Sequence, residues 1–237
     1  MGCGHSVCTR GTPSSFEGGG QAVRDVFKVG KLLGSGAFGQ VRECVSIKTN
    51  EAYAMKIMLK SSQERGHWSN ENMFRREIDV LASLDHPYIV KYHSFYEDKN
   101  YLYAVLEKCE GGELFDQILQ QGCIAEARST TLAFQMLTAI NYVHSQGVVH
   151  RDVKAENFLF STDSNDSDIK LIDFGMSERL SAGQVLTDVC GSPHYLAPEL
   201  IRRKYGFKAD VWALGVLVYL MLYGDTDQEN RLDYESG

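Results

Sequence analysis

The sequence contains little proline and no long apolar run, and both absences narrow the possible classes of protein. Its 237 residues include only four prolines, while 43% are hydrophobic and 11% aromatic. This composition excludes wholesale disorder, because such a chain can bury a core. The longest apolar run, from Val211 to Tyr223, has 13 residues and contains Gly215. It is shorter than the roughly 20 residues that cross a bilayer, so it predicts a buried helix.

The cysteines show no metal-binding or disulfide pattern, and the charge excludes one class of partner. The six cysteines (3, 8, 44, 109, 123 and 190) form no C-x-x-C pair with histidine partners, and no apolar secretion signal begins the chain. We therefore expect reduced thiols in the cytosol. With 24 Lys and Arg against 31 Asp and Glu, the net charge is −7. This charge predicts no general nucleic-acid binding, although a local basic patch remains compatible with it.

The texture of the chain changes twice along its length. Residues 1 to 26 are rich in Gly and Ser and show no apolar period, which predicts a flexible tail. Short strand-like runs then begin at 27, 40 and 52, a helical stripe covers 70 to 84, and two more strand candidates follow at 89 to 97 and 101 to 108. After Gly111 the pattern becomes helical. We predict an α+β fold of two lobes, about 27 to 109 and about 110 to 237, with a ligand cleft between them.

A glycine-rich turn joins the first two predicted strands. Residues 34 to 39 fit the pattern G-x-G-x-x-G, and the phosphate-contacting set would be Gly34, Ser35, Gly36, Ala37, Phe38 and Gly39. A dinucleotide fold needs a helix at this point, whereas here the glycines lead into a strand. Backbone N–H groups between two strands can close over phosphates when no Cβ is in the way. A plain hairpin turn is the alternative interpretation.

Lys56 lies inside the otherwise apolar strand AYAMKIM. An unpaired ammonium group would be costly there. Glu77, on the apolar-periodic helix, is the candidate counter-charge, which would let Lys56 bridge that carboxylate and the phosphates of a nucleotide. A lysine that only extends its amine to solvent is the alternative.

Three further motifs follow in order along the chain. They are HRDVKAEN at 150 to 157, DFG at 173 to 175 and APE at 197 to 199. With the glycine-rich turn and Lys56, they make the sequence resemble the eukaryotic protein kinases. The resemblance implies a two-lobed kinase fold and the transfer of the γ-phosphoryl group of ATP with Mg²⁺, a reaction that needs mainly positioning and charge.

The resemblance also implies a role for each motif residue. Asp152 would accept the proton of the substrate hydroxyl, and Lys154 would steady the γ-phosphate. Asn157 and Asp173 would hold Mg²⁺. His150 and Phe174 would be packing residues that hold Asp173 inward. The residues implied around ATP, besides the glycine-rich turn, Lys56 and Glu77, are Leu33, Val41, Ala54 and Leu159 around the adenine ring, with backbone groups of Glu107 and Cys109 as hydrogen-bond partners and Leu106 as gatekeeper.

Details of these motifs resemble the serine/threonine kinases of the calmodulin- and calcium-dependent group. Lys154 and the Gly191-Ser192-Pro193 segment are typical of the serine/threonine branch. Glu113 and Glu156 match positions that favour a substrate Arg before the phosphorylated residue, although exposed surface charge is the alternative. In the activation loop, which also contains Ser192, Asp188 stands three residues before Gly191, where many kinases carry a phosphothreonine. It would engage Arg151 without phosphorylation.

Two signals concern calcium and membranes. The acidic segments at 163 to 168 and 225 to 230 lack the Gly and Glu of an EF-hand loop, so we expect no intrinsic calcium binding. The N-terminus satisfies M-G-x-x-x-[ST], which predicts myristoylation of Gly2, with Cys3 placed for palmitoylation. We expect a monomer in the cytoplasm, associated with the cytosolic face of a membrane. An unmodified leader is the alternative.

The resemblance covers residues 27 to about 224, after which the chain runs through 13 mainly polar residues. Kinase domains continue there with further helices, so we expect a C-terminal lobe that is incomplete. Two functions follow. One is a working kinase that phosphorylates Ser or Thr of protein substrates; the other is a catalytically poor, nucleotide-binding interaction module.

Overall fold

The computed structural model describes residues 6–8, 23–36, 39–60, 69–181 and 183–224. Four predicted site residues, Gly2, Cys3, Ala37 and Phe38, lie outside these ranges. The chain divides into two units. The sheet unit comprises Met1–His86 and Val90–Cys109, and the helical unit comprises Pro87–Ile89 and Glu110–Gly237.

An antiparallel sheet forms the body of the sheet unit. Its elements are β1 (Ser6–Cys8), α1 (Val23–Val26), β2 (Phe27–Gly36), β3 (Gly39–Ser46), β4 (Ala52–Leu59), α2 (Asn70–Ser83), β5 (Tyr92–Glu97) and β6 (Tyr101–Glu107). The strand order is β1-β5-β6-β4-β3-β2. Strands β2 to β6 follow the predicted runs closely, because alternating apolar positions there match the two-residue period of a half-buried strand.

The register of β3, β4 and β6 assigns the two faces of the sheet. Val41 lies opposite Lys56, and Ala54 lies opposite Leu106. Because directly opposed residues and every second residue of a strand share a face, these four side chains lie on one face. The other face carries the apolar cluster that includes Cys44, Met55, Tyr103 and Val105.

Helix α2 begins and ends where the sequence predicts. Ser69 caps its start by accepting a hydrogen bond from the N–H of Asn72 at 3.3 Å. Its buried stripe includes Phe74, Glu77 and Leu81. The helix ends at Leu84, which is extended, just before the Asp85-His86-Pro87 breaker.

Helices and short hairpins form the helical unit. Its elements are α3 (Leu114–Gln121), α4 (Glu126–Ser145), β7 (Val148–Val149), β8 (Phe158–Phe160), β9 (Ile169–Leu171), β10 (Glu178–Arg179), α5 (Pro198–Ile201) and α6 (Lys208–Tyr223), with 3₁₀ turns at Ala155–Asn157 and Pro193–Tyr195. Helices α4 and α6 pack against each other. The predicted α+β class, with an antiparallel sheet in one unit and helices in the other, is confirmed.

Two details differ from the sequence expectations, namely the boundary between the two units and the elements within the N-terminal tail. Residues 87 to 89 belong to the helical unit, because the N–H of Leu171 donates to the carbonyl of Tyr88 at 3.0 Å. Within the predicted flexible tail, β1 pairs with β5, and α1 buries Val23.

Among the described helices, none combines the length and the apolar character that a membrane crossing requires.

Candidate active site

The glycine-rich turn contains one glycine that the sheet requires and one that it does not. Gly39 has φ +130°, and a Cβ there would lie 2.1 Å from the carbonyl oxygen of Ile57. A side chain at this position would therefore disrupt the contact with β4. At Gly34 a Cβ would meet nothing within 4 Å. The lack of a side chain at Gly34 thus leaves space at the strand surface that packing does not explain.

Lys56 and Glu77 form a buried ion pair inside the sheet unit. The Lys56 Nζ lies 2.6 Å from Oε2 and 2.7 Å from Oε1 of Glu77. The Glu77 side chain is 1% exposed and that of Lys56 is 13% exposed. The ring of Phe74 lies 5.8 Å from the same amine. These distances confirm the prediction that the Glu77 carboxylate pairs with the Lys56 amine. The alternative, a lysine that extends its amine to solvent, is wrong.

Apolar side chains surround Lys56 on its face of the sheet. Val41 and Ala54 are half-buried, and Leu106 is buried. Leu33, in contrast, is 41% exposed. Glu107 is fixed at the end of β6, because its N–H donates to the carbonyl of Lys91 at 2.8 Å and its Oε2 accepts from the N–H of Lys91 at 3.1 Å.

Cys109 is half-buried and ends the sheet unit, just beyond the Glu107 anchor. Leu159, the fourth residue predicted to contact adenine, belongs to the helical unit, where it is half-buried in β8.

A buried carboxylate holds the HRD segment of the helical unit. Asp210, at the start of α6, is 1% exposed. Its Oδ2 accepts from the N–H of His150 at 2.8 Å, and its Oδ1 accepts from the N–H of Arg151 at 2.8 Å. Nε2 of His144 also lies 2.7 Å from Oδ2. These contacts fix Arg151 at φ +70°, a conformation that is strained for a residue with a side chain.

His150 is a packing residue rather than an exposed base. It is fully buried, and its ring centroid lies 4.9 Å from that of Phe174. Burial lowers the pKa of His150, although the nearby carboxylates of Asp210, Asp152 and Asp173 act in the opposite direction. The N–H of Asp152 donates to Nδ1 of His150 at 3.3 Å. A neutral, enclosed imidazole fits the predicted packing role.

Asp152 is the centre of a hydrogen-bonded group of side chains. Ser192 Oγ donates to Asp152 Oδ1 at 2.8 Å, and Lys154 Nζ lies 3.0 Å from both Asp152 Oδ2 and Ser192 Oγ. Asn157 Nδ2 donates to the carbonyl and Oδ2 of Asp152 at 2.7 and 3.1 Å. Because three side chains contact the Asp152 carboxylate, its orientation is fixed. The Asp152 side chain is only 15% exposed.

Asn157 and Asp173 fit the requirements of Mg²⁺. The Asn157 amide nitrogen donates to Asp152, so the amide oxygen of Asn157 is left as an acceptor. Within the described ranges, no hydrogen bond reaches this oxygen. Asp173 Oδ1 accepts from the N–H of Gly175 at 2.8 Å, which orients the carboxylate. Amide and carboxylate oxygens are the ligands that Mg²⁺ prefers. No group of three or more His, Cys, Asp or Glu side chains among the described residues could hold a metal by itself.

Glu113 and Glu156 lie close enough to influence each other. Glu113 is the exposed residue before α3, and Glu156 is half-buried in the 3₁₀ turn that packs on this helix. Partial burial of its carboxyl group raises the pKa of Glu113, and the negative charges of Asp116 and Glu156 raise it further. A cationic side chain placed between these carboxylates would relieve that repulsion.

Asp188 does not engage Arg151. Within the described residues, the carboxylate paired with the Arg151 guanidinium group is that of Glu178, whose Oε2 lies 3.5 Å from Nη2. The Nε of Arg151 donates to the carbonyl of Met176 at 2.5 Å. The Asp188 side chain is exposed, and its carbonyl accepts from the hydroxyl of Tyr205 at 2.7 Å. The Arg151 side chain thus contacts the segment that follows DFG, and the Asp188 carboxylate stays exposed.

The sequence interpretation missed two contacts that shape the site. It assigned no role to Asp210, and it placed Ser192 in the activation loop without a partner. One signal was available: Asp210 is a single acidic residue at the start of an otherwise apolar run. No local signal could pair Ser192 with Asp152, because 40 residues separate them.

Comparison with known proteins supports the motif assignment. Residues 27–235 match the family described as protein kinase domain. The match extends past residue 224, where the sequence resemblance was expected to end.

The individual relatives are named calcium-dependent protein kinases. The chain is 40% identical over 205 residues to calcium-dependent protein kinase 10 of Oryza sativa subsp. japonica, which covers 86% of this chain and 34% of that protein. It is 41% identical over 206 residues to calcium-dependent protein kinase 24 of Arabidopsis thaliana, covering 86% and 35%. It is 38% identical over 203 residues to calcium-dependent protein kinase 5 of Plasmodium falciparum, covering 85% and 35%. The chain spans about a third of the length of these relatives.

Proposed function

The chain belongs to the protein kinase family, and from this premise we propose that it transfers the γ-phosphoryl group of Mg-ATP to Ser or Thr hydroxyls of protein substrates. The observation that carries the proposal is the group around Asp152, in which Ser192, Lys154 and Asn157 all contact one carboxylate. Phosphoryl transfer depends on such positioning and on charge compensation more than on covalent chemistry.

Asp152 acts as the acceptor of the substrate proton. The substrate hydroxyl donates to the Asp152 carboxylate, which becomes a better acceptor when its geometry is fixed before substrate arrives. Lys154 has its positive charge 3.0 Å from this carboxylate and within the same group. It offsets negative charge that develops on the transferred group.

In the sheet unit, Lys56 binds the phosphates of ATP, and Glu77 positions the Lys56 amine. The Glu77 carboxylate keeps the Lys56 amine charged and directed, so that the amine binds phosphate oxygens without a search through its rotamers. Gly34, Ser35, Gly36, Ala37, Phe38 and Gly39 contribute backbone N–H groups to the same phosphates. When bound, Mg²⁺ neutralises phosphate charge, and Asn157 and Asp173 are the residues that would hold it.

The adenine ring of ATP contacts Leu33, Val41, Ala54 and Leu159. Backbone groups of Glu107 and Cys109 supply its hydrogen bonds. The fixed position of Glu107 against Lys91 supports this assignment, because a preorganised backbone binds without an ordering cost.

Substrate preference and location complete the proposal. Glu113 and Glu156 favour peptides with an Arg before the phosphorylated residue, because their mutual repulsion is relieved by a cation. Myristoyl and palmitoyl groups on Gly2 and Cys3 bring the protein, as a monomer, to the cytosolic face of a membrane. The relatives are named for calcium dependence, but we propose no calcium site in this chain, since its acidic segments lack EF-hand spacing.

Two measurements test the proposed reaction. In a thermal-shift titration, Mg-ATP should stabilise the protein by an amount that grows as RT ln(1 + [L]/Kd). Lys56→Met should weaken this shift, whereas Lys60→Met, which removes another lysine-carboxylate pair of the sheet unit, should not. In a peptide assay, Asp152→Asn should lower kcat by a factor of about 10² to 10⁴ and leave the ATP shift unchanged.

Each measurement has a result that contradicts the proposal. A folded protein that shows no shift with Mg-ATP does not bind it. Binding of ATP without phosphoryl transfer would favour the nucleotide-binding interaction module.

A further inference from the structure

Four cationic residues lie close together in sequence, from the residue after α5 to the first residue of α6. Arg202, Arg203, Lys204 and Lys208, here called the basic cluster, all have exposed side chains. Within the part of the chain that the structure describes, none of the four makes a side-chain hydrogen bond or an ion pair. In a chain of net charge −7, this concentration of unneutralised positive charge is a local exception.

The backbone of the basic cluster is rigid and strained. Arg203 has φ +57°, a conformation that Gly or Asn adopts at lower cost. The N–H of Arg203 donates to the carbonyl of Leu200 at 3.0 Å, and that of Lys204 donates to the carbonyl of Glu199 at 3.2 Å. An arginine kept at a position where a smaller residue fits better indicates that its side chain has a use.

The basic cluster lies close to the Asp152 group. Leu200 and Ala209, which flank the cluster in sequence, line the same small cavity as Asp152 and Ser192. Tyr205, inside the cluster sequence, is buried and exchanges two backbone hydrogen bonds of 2.9 and 3.1 Å with Leu186 of the activation loop. The backbone segment that carries the cations is therefore tied to the site at which a peptide would place its hydroxyl.

The surroundings leave the cluster with excess positive charge. Asp210, two residues after Lys208, is buried and bonded to His144, His150 and Arg151, while Glu199 is half-buried and Asp188 on the activation loop is exposed. Asp188 and Glu199, the two of these carboxylates that are not buried, are outnumbered by the four exposed cations, which leaves a net positive surface. Guanidinium groups bind carboxylates in a two-point geometry, which suits Arg202 and Arg203 to an acidic peptide.

We propose that the basic cluster is a docking site for an acidic segment of the protein substrate, outside the residues that flank the phosphorylated Ser or Thr. The inference rests on the proposed kinase function and names a feature of its substrates. A protein of net negative charge repels an acidic substrate at a distance, so a local positive surface beside the site provides the complementary charge. A peptide is favoured over a lipid surface because the cluster is tied by hydrogen bonds to the activation loop.

The test compares two peptides that differ only in a distal segment. Both carry an upstream Arg and one Ser, followed by a flexible Gly-Ser linker; one ends in a run of Glu and the other in a run of Gln. With the full chain, the Glu peptide should show a KM about tenfold lower than the Gln peptide at low salt, with equal kcat. The difference should shrink as the salt concentration rises from about 0.05 M to about 0.3 M.

Two variants locate the effect. The cluster variant carries Arg202→Gln, Arg203→Asn, Lys204→Gln and Lys208→Gln, where Asn preserves the positive φ. The control variant replaces four exposed lysines of the sheet unit by Gln, namely Lys28, Lys31, Lys48 and Lys99. The cluster variant should lose the advantage of the Glu peptide and keep the KM of the Gln peptide, while the control variant keeps both values.

A binding measurement separates docking from catalysis. A labelled Glu run without Ser should bind the unchanged chain in fluorescence anisotropy and bind the cluster variant at least about tenfold more weakly. If the chain transfers no phosphate, the proposed function fails, and this measurement still decides the docking site. Equal binding to both proteins overturns the docking proposal. Cluster-dependent pelleting with phosphatidylserine vesicles, without binding of the Glu run, also overturns it and assigns the cluster to lipid.

Discussion

The charge state of Glu113 is the residue-scale property with the clearest consequence for substrate choice. Its pKa is raised by burial and by the charges of Asp116 and Glu156. A carboxyl group with a raised pKa takes up a proton at a higher pH than usual, and a protonated carboxyl no longer pairs with an Arg. The preference for an Arg peptide should therefore decline as the pH falls through the pKa of Glu113.

This expectation is tested by kinetics as a function of pH. The ratio of KM for an Ala peptide to KM for an Arg peptide, measured between about pH 5 and about pH 8, should fall toward acid. Asp116→Asn removes a neighbouring negative charge without removing either proposed Arg contact, so the decline should move to lower pH. Glu113→Gln should reduce the preference at every pH. A ratio independent of pH in the unchanged protein would contradict the assignment of Glu113.

Single residues also show how far sequence reasoning reaches. Lys56 was expected to pair with Glu77, because a cation in an apolar strand needs a counter-charge and the next helix offered one. Asp188 was expected to reach Arg151 and does not. That expectation depended on the path of a loop, which no periodicity in the sequence describes.

At the scale of elements, Gly191 controls the contact between the activation loop and the HRD segment. It has φ +100°, and a Cβ there would lie 2.4 Å from the carbonyl oxygen of Arg151. Gly191→Ala should therefore push the loop away from Arg151 and break the adjacent bond between Ser192 and Asp152. We expect a lower kcat and a loss of about 1 to 3 kcal/mol in the free energy of unfolding.

Gly183 provides the matched control. It also has a positive φ, +79°, but a Cβ there would meet nothing within 4 Å. Gly183→Ala should cost about 1 kcal/mol through backbone strain and leave kcat unchanged. Thermal unfolding and peptide kinetics on both variants separate strain from steric overlap. Equal kcat in both variants would show that the close contact of Gly191 does not position Ser192.

Elements were the most predictable level of this protein. Helix α2 was expected at 70 to 84 and lies at Asn70–Ser83, and β4 follows the predicted AYAMKIML run. Apolar spacing and helix-ending residues act within a few positions, so a sequence contains all the information they need. The pairing of β1 with β5 was not foreseen, since a three-residue strand has too short a pattern to be recognised.

For the whole molecule, attachment to a membrane depends on two residues at the N-terminus. A single myristoyl chain binds a bilayer with an association constant of only about 10⁴ M⁻¹, and the leader up to residue 26 has no excess of basic residues to assist it. Gly2→Ala should leave the protein in the soluble fraction of a cell lysate. Cys3→Ser should retain the myristoyl group and shift the protein partly from the membrane to the soluble fraction.

The intact mass of each variant supplies the control, because it reports each acyl group directly. Cys3 also precedes β1 by three residues, so at most about 11 Å of chain separates it from that strand. If the Gly2→Ala protein still sediments with membranes, a contact other than an acyl chain must hold it there.

Sequence patterns were sufficient to predict the kinase family, the order of the elements and the identity of most residues proposed to act on ATP. These depend on local periodicity and on motifs whose spacing is fixed along the chain. Only the tertiary structure decided which side chains meet: Ser192 with Asp152, and Asp210 with the backbone of His150 and Arg151. These partners are 40, 60 and 59 residues apart. Hydrogen bonds act over about 3 Å, so such pairs depend on how helices and loops pack, which local sequence patterns do not encode.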